Sequence, residues 1–189
     1  LIFLRIRVDN YLCYMYKEYS PCSVLAPFIY HFWEYKGETR SGLKFNIPPH
    51  GCSDFVFIVG NAADCIRDSL IMKPYHSYFF GPMNTFTELV AHTNFIHIIG
   101  VRFRPCGLFQ FIEIPLNELA NQGIDSQEFP VLFSQSFIYQ LCESNQNPID
   151  IIEHELVRQV YKNNMDTEKQ ISYAVSLISR QKGIVSIKE

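Results

Sequence analysis

The period of the apolar residues changes once along this chain, near Pro115, and that change constrains the fold more than any single motif. Ahead of it, apolar and aromatic residues come in short runs cut by Gly and Pro. Residues 24–35 surround a proline and enter a strand near Phe28, and residues 37–42 are polar and loop-like. A Pro-Pro-His-Gly turn then precedes residues 55–59, a short buried strand ended by Gly60 and Asn61. Residues 70–80 and 86–103 continue the strand pattern, rich in Phe, Ile, Tyr and His, with "GPMN" as the turn between them. Beyond Pro115 the spacing becomes helical. "PLNELANQ" and "PVLFSQSFIYQLCES" read as helices, and "NPIDIIEHELVRQVYKN" more plainly so. Asn147 or Pro148 opens that last one, and Ile149, Ile152, Leu156 and Val160 fall three to four apart on one face. A further helix follows a cap at Asp166 or Thr167, with Ile171, Ala174, Val175 and Ile178 as its stripe and Gly183 as its stop. A joint is expected at residues 162–166. Strands first and helices after predict an α+β fold, a small antiparallel β-barrel or sandwich followed by a few α-helices.

Composition narrows the class of protein. Of 189 residues, 48% are hydrophobic and 19% charged, a globular balance, and the many Phe and Tyr favour strands. No apolar run approaches the roughly 20 residues of a membrane helix, so no membrane partner is expected. The N-terminal apolar stretch stops at Arg5 and Arg7, too short for the core of a secretion signal. Cysteines at 13, 22, 52, 65, 106 and 142 form no CxxC and no cluster. They predict neither a disulfide framework nor a zinc site, and a cytoplasmic location. Charge is uneven. The first 157 residues hold ten basic and sixteen acidic side chains, net −6, whereas residues 158–189 carry net +3. An acidic body binds polyanions poorly by itself.

Candidate chemistry is sparse. A metal in a barrel wants closely spaced histidines and a carboxylate aimed at one point. No HxH occurs among His31, His50, His76, His92, His97 and His154, and His92 and His97 would face opposite sides of one strand. There is no GxSxG elbow and no GxGxxG or Walker-type loop. No metal, cofactor or catalytic residue is predicted, and the alternative class is a metal-dependent cupin-like enzyme. Arg102 and Arg104 stand out. On one strand face they could grip an anionic ligand, pair with carboxylates such as Glu113 or Glu118, or lie solvated. Trp33, Tyr35, Phe55 and Phe57 could line a pocket in a barrel mouth or form an ordinary aromatic core. The candidate ligand set is therefore Trp33, Tyr35, Phe57, Arg102 and Arg104. The stripe Ile149, Ile152, Leu156 and Val160 needs a partner surface, either the chain's own body or the same helix of a second copy.

Four segments in order, "YKEYSPCSVLAPFIYHFWEY", "IPPHGCSDFVFIVG", "FFGPM" and "GVRFRPCGLFQFIEIPLNEL", resemble the N-terminal sensor domain of AraC-type transcriptional regulators. The likeness spans about residues 16–160 and is to the subgroup with a Gly-Val-Arg-Phe-Arg-Pro-Gly-Gly segment. Cys106 stands where that pattern usually has glycine, which loosens the turn while keeping Gly107. "EKQISYAVSLISRQKGIVSIKE" is similar to the first helix of the AraC-type DNA-binding domain and the start of its next helix. The resemblance implies a cupin-like β-barrel with helices after it, a role in transcriptional control and, often, a homodimer. It implies a small-molecule effector of unspecified identity in the barrel, and DNA contact only through a missing C-terminal domain. On this division residues 1–14 are an extension or an extra strand outside the pattern. Residues 15–163 are the sensor and dimerisation domain, and residues 164–189 begin an incomplete helix-turn-helix domain.

Overall fold

The computed structural model describes residues 14–39, 42–59, 65–67, 70–112, 116–128, 132–162, 174–175, 177–178 and 180–181. Ten strands come first: β1 (Tyr14–Tyr19), β2 (Ile29–Glu38), β3 (Leu43–Ile47), β4 (Asp54–Ile58), β5 (Cys65–Arg67), β6 (Leu70–Met72), β7 (Ser77–Phe80), β8 (Thr87–Ala91), β9 (Phe95–Phe103) and β10 (Gly123–Asp125). Helices α1 (Gln135–Glu143) and α2 (Pro148–Lys162) follow. All strand pairs are antiparallel, in a six-stranded sheet ordered β1-β2-β9-β4-β7-β10 and a four-stranded sheet ordered β3-β8-β5-β6. Mostly antiparallel sheet with helices after it is the α+β class expected. Among the described residues, however, the strands form two open sheets and are not closed into a barrel.

Alternation along β4 and β9 shows how the layers stack. Phe55, Phe57, Ile99, Val101 and Phe103 point to one face, where they pack with Leu132, Phe133, Leu141, Ile149, Ile152 and Leu156 of the helical region. Phe133 meets Phe55 at 5.2 Å and Phe57 at 4.9 Å between ring centroids. Val56, Ile58, Ile96 and Ile98 point the other way, against Phe45, Met72, Leu89 and Ala91 of the small sheet. The six-stranded sheet is thus a central layer with helices on one face and a second sheet on the other. That is why every residue of β4 is buried and why its sequence reads as a continuous apolar run instead of alternating.

Helix α2 starts as its sequence indicates. The Asn147 side chain accepts from the Ile149 N–H at 3.1 Å, and Pro148 occupies the first helical position, where a missing N–H costs nothing. Its stripe takes the first of its two possible partners: Ile149, Ile152 and Leu156 are buried in the chain's own core and Val160 packs against it. Two polar ties hold the helix there. Cys22 N–H donates to Glu153 Oε1 at 2.7 Å, and Gln159 Nε2 donates to the Leu132 carbonyl at 2.6 Å. The side chains assigned to a dimer helix are therefore occupied within one copy.

One expected helix is absent. Residues 116–121 of "PLNELANQ" form turns that lead into β10. Long-range polar contacts override the local preference: Asn121, at φ 62°, accepts from the N–H groups of Asn84 and Thr85 and itself donates to the Pro82 carbonyl. Of the helix expected after Asp166, residues 174–175, 177–178 and 180 are helical, while its ends, the joint at residues 163–166 and the segment 1–13 lie outside the described residues. Among the described residues no helix is long and apolar enough to cross a membrane.

Candidate functional site

The inter-sheet face of the central layer turns polar at one end. In the register of β2, β9 and β4, Arg102 lies opposite His31 on one side and Asp54 on the other, and Trp33 lies opposite Gly100. Arg102 Nε donates to Asp54 Oδ1 at 2.9 Å and Arg102 Nη2 to Asp54 Oδ2 at 2.8 Å. The Asp54 side chain is 7% exposed and that of Arg102 21%, so this is a largely dry, bidentate pair. Burial opposes the charge on Arg102, but Asp54 outweighs it and the guanidinium pKa rises. His50 stands next to the carboxylate. Its Nδ1 accepts from Cys52 N–H at 3.1 Å, and its Nε2 lies 3.4 Å from Asp54 Oδ2. Burial and then Asp54 push the neighbouring Cys52 thiol up to about 11, far from a reactive thiolate.

Trp33 depends on a glycine. A Cβ on residue 100 would lie 1.9 Å from Trp33 Cε2, so the indole can rest on β9 only because Gly100 has no side chain. This is the physical content of the glycine that opens "GVRF". Tyr16 stacks on Trp33 with centroids 6.5 Å apart and planes 28° apart, and its hydroxyl donates to Glu18 Oε1 at 2.9 Å. Burial and that carboxylate raise the Tyr16 pKa. Glu18 Oε1 is 4.0 Å from His31 Nε2, beyond hydrogen-bond range. Burial first, and Arg102 second, lower the His31 pKa against the pull of Glu18 and Asp54, leaving a neutral imidazole at neutral pH. Trp33 Nε1 and His31 Nε2 are both buried without a hydrogen-bond partner.

The helix side of the same sheet carries polar groups too, but they are satisfied. Tyr19 Oη donates to Glu34 Oε2 at 2.8 Å, and His97 Nε2 lies 2.8 Å from Glu34 Oε1. Burial would raise the Glu34 pKa, yet the bonds from Tyr19 and His97 bring it down. Burial lowers that of His97 despite Glu34, and burial with Glu34 pushes Tyr19 up to about 12. A groove of 540 Å³ between α1 and α2 is lined in part by Phe137, Glu155 and Arg158, and Glu155 holds Arg158 at 2.6 Å there. Among the described residues no three or more His, Cys, Asp or Glu converge as metal ligands would.

Of the residues singled out from sequence, Trp33 and Arg102 come together. Tyr35 shares their face, deeper in the inter-sheet core, with its ring 5.3 Å from Phe45. Phe57 does not join them, because its position in β4 turns it to the helix side. Arg104 does not either. β9 ends at Phe103, and beyond it Arg104 Nε donates to the Ala26 carbonyl at 2.8 Å while its guanidinium lies 4.4 Å over the Tyr30 ring. The two arginines therefore share no ligand, and the carboxylate that pairs with Arg102 is Asp54, not Glu118, which is exposed. Glu113 lies outside the described residues. Cys106 adopts φ 64°, the left-handed conformation that glycine favours, while Gly107 is required because a Cβ there would meet the Phe28 carbonyl at 2.1 Å. The residues missed from sequence are Asp54, His50, His31, Tyr16 and Glu18. The one available signal was an aspartate at the head of an otherwise apolar buried run.

The chain matches a family described as "Domain of unknown function (DUF6597)" over residues 17–125. It belongs to the DUF6597 family. The DUF6597 segment runs from β1 to the end of β10, so it contains both sheets and Glu18, His31, Trp33, His50, Asp54 and Arg102, whereas α1 and α2 lie beyond it. No curated protein matches the chain in sequence. Among solved structures, it is similar to a Cupin 2 conserved barrel domain protein from Salinispora arenicola CNS-205, at 16% identity and a TM-score of 0.36. That alignment covers 55% of this chain and 85% of the other. It is also similar to the AraC-like transcriptional activator CuxR at 11% identity and a TM-score of 0.37, over 92% of this chain and 81% of that one.

Proposed function

We propose that this DUF6597 chain is the effector-sensing domain of an AraC-type transcriptional regulator. On this reading a small molecule binds, without turnover, beside Trp33, His31 and the Arg102–Asp54 pair. The observation that carries this reading is the contrast in hydrogen bonding across the central sheet: Trp33 Nε1 and His31 Nε2 are buried and unpartnered, while the polar groups of the helix side are bonded. A buried polar atom without a partner costs about 1 to 3 kcal/mol, and a ligand that satisfies it recovers that cost on binding. The ordered motifs that resemble the AraC-type sensor domain supply the regulatory role. The acidic body, net −6 over residues 1–157, leaves DNA contact to a domain C-terminal to it. A homodimer, in this reading, uses a surface other than the α2 stripe, which the chain's own core occupies.

Trp33 is the only tryptophan of the chain, so its emission reports on the site directly. The test is a thermal-shift screen of metabolites with Trp33 emission followed in parallel. A genuine effector raises the melting point in proportion to ln(1 + [L]/Kd), changes the Trp33 emission, loses its melting-point shift in Trp33→Phe, and is recovered chemically unchanged. Recovery of a converted product would favour the metal-dependent enzyme. Ligands that shift the melting point but leave Trp33 silent would move the site elsewhere.

A further inference from the structure

We propose that the molecule taken at this site is uncharged and carries an acceptor oxygen, which meets the indole N–H of Trp33. This rests on the sensor reading above and specifies its ligand chemistry.

The charge of Arg102 is already spent, since Nε and Nη2 both lie on Asp54. An anionic ligand would have to break that bidentate pair and leave Asp54 buried without its partner, the costly way to open a buried ion pair. The surroundings do not compensate. Glu18 and Asp54 bring two negative charges against the one positive charge of Arg102, with His50 Nε2 3.4 Å from Asp54 and His31 Nε2 4.0 Å from Glu18. A cation gains from that balance but meets the same desolvation that keeps a proton off His31, with Arg102 adding repulsion. An uncharged molecule pays neither cost.

Hydrogen-bonding capacity narrows the class further. The indole Nε1 is a donor only, so its partner must be an acceptor. His31 Nε2 donates or accepts according to its tautomer, so a hydroxyl, amide or second carbonyl suits it. His31 and Trp33 stand two residues apart on the same face of β2, roughly 6 to 7 Å along the strand, so both lie beside a small molecule bound there.

Benzamide, benzoate and benzamidinium share one planar scaffold and differ in charge. Each is titrated into the whole chain at millimolar concentration, with Trp33 emission and melting point as readouts. Benzamide is expected to change the emission saturably and to raise the melting point, with benzoate and benzamidinium weaker by about tenfold or more. In Trp33→Phe the benzamide shift in melting point should disappear. A preference for either charged probe overturns the ligand class while leaving the sensor reading intact, as does a benzamide shift that survives Trp33→Phe. Silence from all three probes also overturns the class, because wild-type emission needs no variant to fold. The sensor reading fails separately, when no metabolite of the screen stabilises the protein or when the bound molecule is recovered converted.

Discussion

The two faces of the central sheet are written in the same strands yet do different work. On β4, Phe55 and Phe57 meet Phe133 on the helix side, while Val56 and Ile58 pack on the small sheet and Asp54 shares their face. Polar groups occur on both sides. Those on the helix side close on one another, Tyr19 and His97 on Glu34, so that side serves stability. On the inter-sheet side Arg102 and Asp54 close on each other, but the Trp33 and His31 nitrogens beside them do not. Polarity by itself does not mark a site. On the proposed reading, polarity left unsatisfied beside a rigid pair does.

Perturbing each face in turn should separate these roles. The largest effect belongs to Phe57→Ala, which opens a cavity against Phe133 and should cost about 3 to 5 kcal/mol in urea unfolding. The stabilisation by a ligand of the inter-sheet site should survive it. A loss of that stabilisation would mean the faces are coupled.

Asp54→Ala should come next, toward the lower end of the roughly 3 to 5 kcal/mol for breaking a buried pair, because Arg102 retains 21% of its side-chain exposure. Replacing both partners, Arg102→Met with Asp54→Leu, should cost far less than the single change. A double-mutant cycle in urea measures the difference, and additive losses would deny the pair its structural role.

Gly100→Ala probes the floor under the indole. The new Cβ falls on Trp33 Cε2, so a cost of about 1 to 3 kcal/mol of overpacking is expected, with a shift in Trp33 emission. An unchanged spectrum would contradict the packing.

Acid should weaken both faces by a smaller amount. The pKa values of His31 on the inter-sheet side and His97 on the helix side are both lowered by burial. The unfolded chain therefore takes up protons that the folded chain resists, and stability present at neutral pH is lost as pH falls below 6.5. Glu34, whose pKa is lowered, adds a further loss once it is protonated in the folded state. Urea midpoints measured from neutral pH down to about 5 should fall, and His97→Gln should remove the helix-side share alone.

Trp33→Phe should change stability least, by less than about 1 kcal/mol, because it removes an unsatisfied donor together with some packing. Its effect should appear in ligand binding. A large loss of stability would assign Trp33 to the core.

The sequence by itself determined the order of strands then helices, the buried runs of β2, β4 and β9, and the start and apolar stripe of α2. Those rest on short-range signals: period, a Pro-Gly turn, an Asn-Pro cap. Short strands such as β3, β5 and β10 escaped it, because three to five residues carry too little period and their partners lie far along the chain. Tertiary structure alone decided that the described strands pair into two sheets, since strand pairing between distant segments is not encoded in either segment. It also decided which face Phe57 takes and which carboxylate Arg102 holds: Asp54 is 48 residues away and becomes its neighbour only through the β4–β9 register. The site follows from that register. Gly100 and Trp33 are each ordinary residues in their own strands, and only their alignment across β2 and β9 lays an indole on the sheet with its N–H unpaired.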